Sequence, residues 1–135
     1  MKTTYTQYSS VQIGNLFRFL RLLKNFNQAY LAQTIGCKKP MYSKIESGQF
    51  NTISIDKFDL ICFTLGVKTS TALDLAKQTV FNNKITTFDE FVNSLSNNDY
   101  DEMSRMIQLT EQALPEKYLE FKEVFENLLE QARKK

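Results

Sequence analysis

Ile13, Leu16, Phe17 and Leu20 recur at steps of three and four, the spacing that gathers side chains on one face of an α-helix. That stripe predicts a first helix over residues 11–25 with those four side chains in the core. The ten residues before it are rich in Thr, Ser, Tyr and Gln without such a period and are expected to form a flexible arm. Asn27 can cap a second helix by accepting a backbone N–H; Gln28, Leu31 and Ala32 follow in its first turns, and Gly36 ends it. A third helix is predicted over 39–47, because Pro40 is tolerated only in a first turn and Gly48 stands where a left-handed C-terminal cap is wanted. Ser54 or Asp56 opens a fourth, with Ile55, Phe58, Ile61, Cys62 and Leu65 as its apolar stripe and Gly66 as its stop. A fifth is expected over 70–80.

Beyond the polar stretch Asn82, Asn83 and Lys84, Thr87 and Glu90 stand at capping-box spacing ahead of Phe91, Val92 and Leu95, which predicts a short sixth helix. Asp99 can cap a seventh, where Tyr100, Met103, Ile107, Thr110 and Leu114 alternate steps of three and four. Pro115 starts an eighth that carries the same seam through Tyr118, Phe121, Phe125, Leu128 and Ala132. The pattern therefore describes an all-α protein: an arm over 1–10, a five-helix head over 11–80, and a C-terminal region of about three helices over 81–135. No internal repeat interrupts it.

Composition narrows the class. Four Gly and two Pro leave little material for a turn-rich all-β fold. The net charge of +2 hides an asymmetry, for residues 1–78 carry +6 and residues 79–135 carry −4. A basic half suited to a polyanion thus precedes an acidic one. No apolar run approaches the roughly 18 residues that span a bilayer, and no signal peptide opens the chain, so a cytoplasmic protein without membrane contact is expected. Cys37 and Cys62 both fall within apolar patterns and are expected to be reduced core thiols. With no His, the usual zinc partner and the commonest general base are both missing. Nucleophile elbows and Gly-rich phosphate loops are absent too, so neither catalysis nor a metal or other cofactor is expected.

Two short helices joined by a glycine-containing turn, the next helix bearing cations, form an arrangement that can lay one helix in the major groove of double-stranded DNA. Arg21, Asn27, Gln28, Leu31, Ala32, Gly36, Ser43, Lys44, Ile45, Glu46, Gly48, Leu60, Leu65, Gly66 and Val67 follow in order. With these residues the chain resembles the Cro and lambda-repressor type of helix-turn-helix, the XRE family, over about residues 13–76. The resemblance implies a lambda-repressor-like head and a transcriptional regulator. It implies that Gln28 touches the DNA backbone and supports the recognition helix, that Lys38, Lys39, Ser43 and Lys44 face base edges or phosphates, and that Arg21 and Glu46 pair structurally between the first and third helices. The family pattern is left at Lys38 and Pro40, where a small polar cap and a base-reading residue are usual, and at a segment 49–53 one residue longer than usual. Asn27, Pro40, Gln49 and Asn51 complete the candidate DNA-binding set. Lys38, Lys39 and Lys44, the last read as one turn further along the same side, make a cationic edge.

The first helix also carries Phe19, Leu22, Leu23 and Phe26 on a second face. A large apolar face marks an interface, here with the C-terminal helices or with another subunit. Tyr118, Phe121, Phe125 and Leu128 are candidates for the same role, either as an intramolecular seam or as a dimer contact. A repressor acting as a homodimer on a palindromic operator is the expectation, since two heads multiply affinity. An antitoxin, or an interaction module that has lost DNA binding, is the alternative, with a protein or peptide partner on the C-terminal helices.

Overall fold

The computed structural model describes residues 10–134. The chain runs through α1 (Ser10–Leu23), α2 (Gln28–Thr34), α3 (Lys39–Glu46), α4 (Ile55–Leu65) and α5 (Thr69–Ala76). A 3-10 turn over Thr79–Asn82 follows, then α6 (Phe88–Leu95), α7 (Tyr100–Ala113), α8 (Pro115–Glu120) and α9 (Lys122–Arg133). No strand occurs among the described residues, in agreement with the all-α expectation. The expected flexible arm lies outside the described residues except for Ser10, which is the first residue of α1 and donates its hydroxyl to the Phe50 carbonyl at 2.9 Å. No helix among the described residues is long and apolar enough to cross a membrane.

Local chemistry accounts for most helix ends. Asn27 accepts the Tyr30 N–H at 2.8 Å, and Ser54 accepts that of Lys57 at 3.2 Å. Thr87 with Glu90 and Asp99 with Glu102 form reciprocal capping boxes. Gly66 closes α4 at φ 74°, a left-handed conformation that costs a residue without Cβ little.

Three ends differ from expectation. α1 stops at Leu23 because Asn25 takes the left-handed conformation at φ 61°; the N–H of Asn25 then reaches Leu22 O and that of Phe26 reaches Arg21 O, both at 3.1 Å. This is the paired closure of a Schellman motif, with Asn in the place usually held by Gly. α5 stops at Ala76, and the chain reaches Asn82 through the tighter 3-10 turn. The last helix breaks at Phe121, at φ −106° and ψ 12°, so four helices and not three follow the turn among the described residues. At the break the Phe121 ring lies 4.8 Å from that of Phe88. Within the α4 stripe, Phe58, Ile61, Cys62 and Leu65 are buried, whereas Ile55 in the first turn is exposed.

One cluster of buried side chains extends from Ile13 in α1 to Phe125 in α9. Phe19 joins its two ends, with ring centroids 5.6 Å from Phe81, 6.4 Å from Phe88 and 5.5 Å from Phe91. The second apolar face of α1 is thus covered by the chain's own later helices at Phe19, while Leu23 and Phe26 pack half-buried on the same core and Leu22 is half-buried. Phe125 is buried, with Tyr118, Phe121 and Leu128 half-buried against the cluster. Polar ties reinforce the join: the buried amide of Asn15 donates to Phe81 O at 2.9 Å. Arg105 meets Asp74 at 2.8 Å, and the Thr71 hydroxyl donates to Gln112 at 3.1 Å, both between α5 and α7.

Candidate nucleic-acid interface

α3 is held on one side and bare on the other. Its inner face, Tyr42, Ile45 and Glu46, is buried. α1 approaches that face so closely that a Cβ on Gly14 would stand 2.6 Å from the Ile45 carbonyl oxygen and 2.4 Å from that of Glu46. Only glycine fits there without a backbone shift. On the α2 side, buried Ala32 leaves room for the crossing, Gly36 turns the chain at φ 74°, and the Cys37 N–H returns to Ala32 O at 2.9 Å.

Glu46 anchors this packing. Its carboxylate is fully buried and accepts from Arg21 Nε at 2.6 Å and Nη2 at 3.1 Å, and from Gln28 Nε2 at 2.9 Å. Arg18 stands 3.6 Å away. Arg21 also donates from Nη1 to the Phe26 carbonyl at 2.9 Å, which ties the α1 terminus to the same node. The expected Arg21–Glu46 pair is therefore present, extended by Arg18 and Gln28. Beside it the buried Tyr42 hydroxyl lacks a hydrogen bond of good geometry among the described residues, and burial, then the Glu46 charge, hold the phenol protonated far above its ordinary range.

The other faces of α3 are open. Lys38, Lys39, Pro40, Met41 and Lys44 are exposed and Ser43 is half-buried. Among the described residues none of these three ammonium groups has an ion-pair partner. The cations do not all share one side, however. Lys44 follows Lys39 by five residues, which at about 100° per residue places it about 140° round the helix. It lines instead a cleft between α3 and α4 with Met41, Gln49, Phe50, Thr52 and Lys57. The exposed cations therefore form two groups, Lys38 with Lys39 at the start of α3 and Lys44 with Lys57 across the cleft. Lys57 carries no sequence signal of its own beyond a position in the first turn of a capped helix.

The remaining candidates divide by what already occupies them. Asn27 is exposed but its side-chain oxygen is engaged as the α2 cap, and Gln28 uses an amide N–H on Glu46, so both brace the α2–α3 unit. Gln49 and Asn51 are exposed on the loop after α3, where the Gln49 backbone N–H closes on Lys44 O at 2.8 Å. The arrangement can present a short helix, with ammonium groups at its start and along its flank, to a polyanion whose groove admits a helix.

Comparison with known proteins places residues 17–71 in register with a family described as Helix-turn-helix. That span begins within α1 and ends within α5, enclosing α2 and α3. No curated protein and no solved structure matches the chain.

Proposed function

We propose that this protein, whose residues 17–71 match a family described as Helix-turn-helix, is a DNA-binding transcriptional regulator of the Cro and lambda-repressor type that lays α3 in the major groove of a palindromic operator as a homodimer and represses transcription by obstructing polymerase. The observation that carries the reading is the two-sidedness of α3. A reading helix must be rigidly seated yet leave its outer edge free, and here a buried carboxylate with three partners holds the inside while Lys38, Lys39 and Lys44 are exposed outside with no ion-pair partner among the described residues.

The two cation groups divide the work. Lys38 and Lys39, at the start of α3, reach base edges and the phosphates beside them, as the N-terminal residues of recognition helices do. Lys44 and Lys57 flank the cleft towards α4 and engage the phosphate backbone, which positions the helix without reading sequence. Two heads on one site supply the affinity that a single short helix lacks.

Selection of bound sequences from random duplex DNA tests the reading directly. A palindromic consensus is the expected result, with its half-sites about one helical turn apart. Gel-shift titration of the Lys39→Ala/Lys44→Ala double variant on the selected duplex should show weakened binding, with the salt slope reduced by about one for each phosphate that is no longer neutralised. Full affinity in that variant would refute the assigned surface.

A further inference from the structure

Phe63 is the most exposed of the large apolar side chains among the described residues, at 81% of its surface. It sits in the last turn of α4 and is not among the side chains packed on the core. Counting about 100° per residue, Asp56, Asp59, Leu60 and Phe63 fall within an arc of about 100° on that helix. All four are exposed. Immediately beside the ring is a shallow cleft lined by Asp59, Gly66, Val67, Lys68 and Thr69, with Phe63 itself as one wall. A protruding aromatic and a recess of matching character thus adjoin each other on one surface. Contacts about a two-fold axis require that combination, since each copy must supply both the projection and its receptor.

The charges along this face have the same symmetry. Its N-terminal half carries Asp56 and Asp59. Its C-terminal end carries Lys68, exposed at the α5 cap, and Lys24, whose ammonium stands 3.5 Å from where a Cβ on Gly66 would lie. None of these four charges has an ion-pair partner among the described residues, although Asp59 accepts the Thr69 hydroxyl at 2.7 Å. Two copies of α4 set antiparallel with Phe63 at the centre bring Asp59 of each against the Lys68 end of the other, and oppose the two helix dipoles favourably. Parallel packing would set like charges side by side.

We propose that the α4 face centred on Phe63 is the homodimer contact of this protein, formed with a second copy in antiparallel register. The proposal rests on the homodimer reading above and adds to it the surface and its register. One helix and its caps make a contact at the small end of stable interfaces, below about 1,200 Å² in total. Association is therefore concentration-dependent.

Sedimentation equilibrium of the full chain over a wide concentration range reads it. The wild type should pass from the 15.7 kDa chain to twice that mass. Phe63→Glu should stay at the single-chain mass throughout, with an unchanged thermal melt. Asp59→Lys and Lys68→Asp should each weaken dimerisation at least tenfold, and together restore it towards the wild type. A Phe63→Glu protein that dimerises like the wild type, or a double charge swap without rescue, overturns this surface while leaving a homodimer on another face. A wild type that stays single-chain at every concentration overturns both this surface and the homodimer reading.

Discussion

Replacing Glu46 by Ala removes the carboxylate on which Arg21, Arg18 and Gln28 converge. Breaking a buried ion pair from one side costs about 3 to 5 kcal/mol, because the surviving charge is left in a poorly solvated site. Two features place this case at the lower end. The Arg21 side chain retains 11% exposure and keeps its bond to the Phe26 carbonyl, and Arg18 at 19% has an easier route to water. A loss of about 3 kcal/mol is expected on that basis, a large part of the roughly 5 to 15 kcal/mol that holds a typical domain folded. Removing the closest pair as Arg21→Met/Glu46→Leu should recover part of it, since an apolar pair of similar volume strands no Arg21 charge, although Arg18 and the Gln28 amide still lose their acceptor. Urea unfolding followed by circular dichroism measures each variant, and the shift should appear in the midpoint at constant slope. A Glu46→Ala protein within about 1 kcal/mol of wild type would refute the reasoning, as would a double variant no more stable than the sum of its singles.

Gly14→Ala should destabilise despite the better helix propensity of Ala, because the new methyl meets two α3 carbonyl oxygens below 3 Å; the overpacking cost is about 1 to 3 kcal/mol, read as a lowered thermal midpoint together with weakened operator binding. Asn15→Leu leaves the Phe81 carbonyl without its amide donor, and a loss of about 1 to 3 kcal/mol in urea unfolding is expected. Burial pushes the Cys62 thiol up to about 12, so it stays protonated in the fold well after the unfolded chain has begun to lose its proton. Above the ordinary thiol range the unfolded state then binds fewer protons than the native one; stability is intact below about pH 9 and falls as pH rises towards 12, by up to about 1.4 kcal/mol per unit for this group. Cys62→Ala should flatten that decline in thermal melts taken across the interval. At neutral pH a thiol reagent should modify the half-buried Cys37 of the native protein and leave Cys62 untouched until unfolding.

Features decided within one helical turn were legible in the sequence. The caps at Asn27, Ser54, Thr87 and Asp99 each rest on a partner three residues away, and the apolar stripes of α1, α4 and α7 follow from spacing alone. The Arg21–Glu46 pair, separated by 25 positions, was readable only through the family resemblance. What escaped was set by distant partners. Asn15 looks like a polar interruption in α1 until its amide is seen on a carbonyl 66 residues later. Gly14 looks like an ordinary helix-weakening residue until α3 is laid across it. The break at Phe121 has neither Pro nor Gly to announce it, only a ring that lies against Phe88. In the binding surface, the exposed lysines of α3 were legible as residues, but their separation into two groups appears only when rotation along the helix is counted and Lys57 of α4 is brought alongside Lys44.

Gly14 and Asn15 are neighbours on α1, yet one fits the backbone of α3 and the other grips the 3-10 turn. α1 is in this sense a key cut on two edges, and its rotational phase is locked twice. A single-codon insertion or deletion after Asn15 would swing Arg21 by about 100° relative to these two locks, so no slippage of the helix could keep Gly14 and Asn15 seated and return Arg21 to Glu46. Length variation among descendants of this gene should therefore collect in the loops and spare this helix.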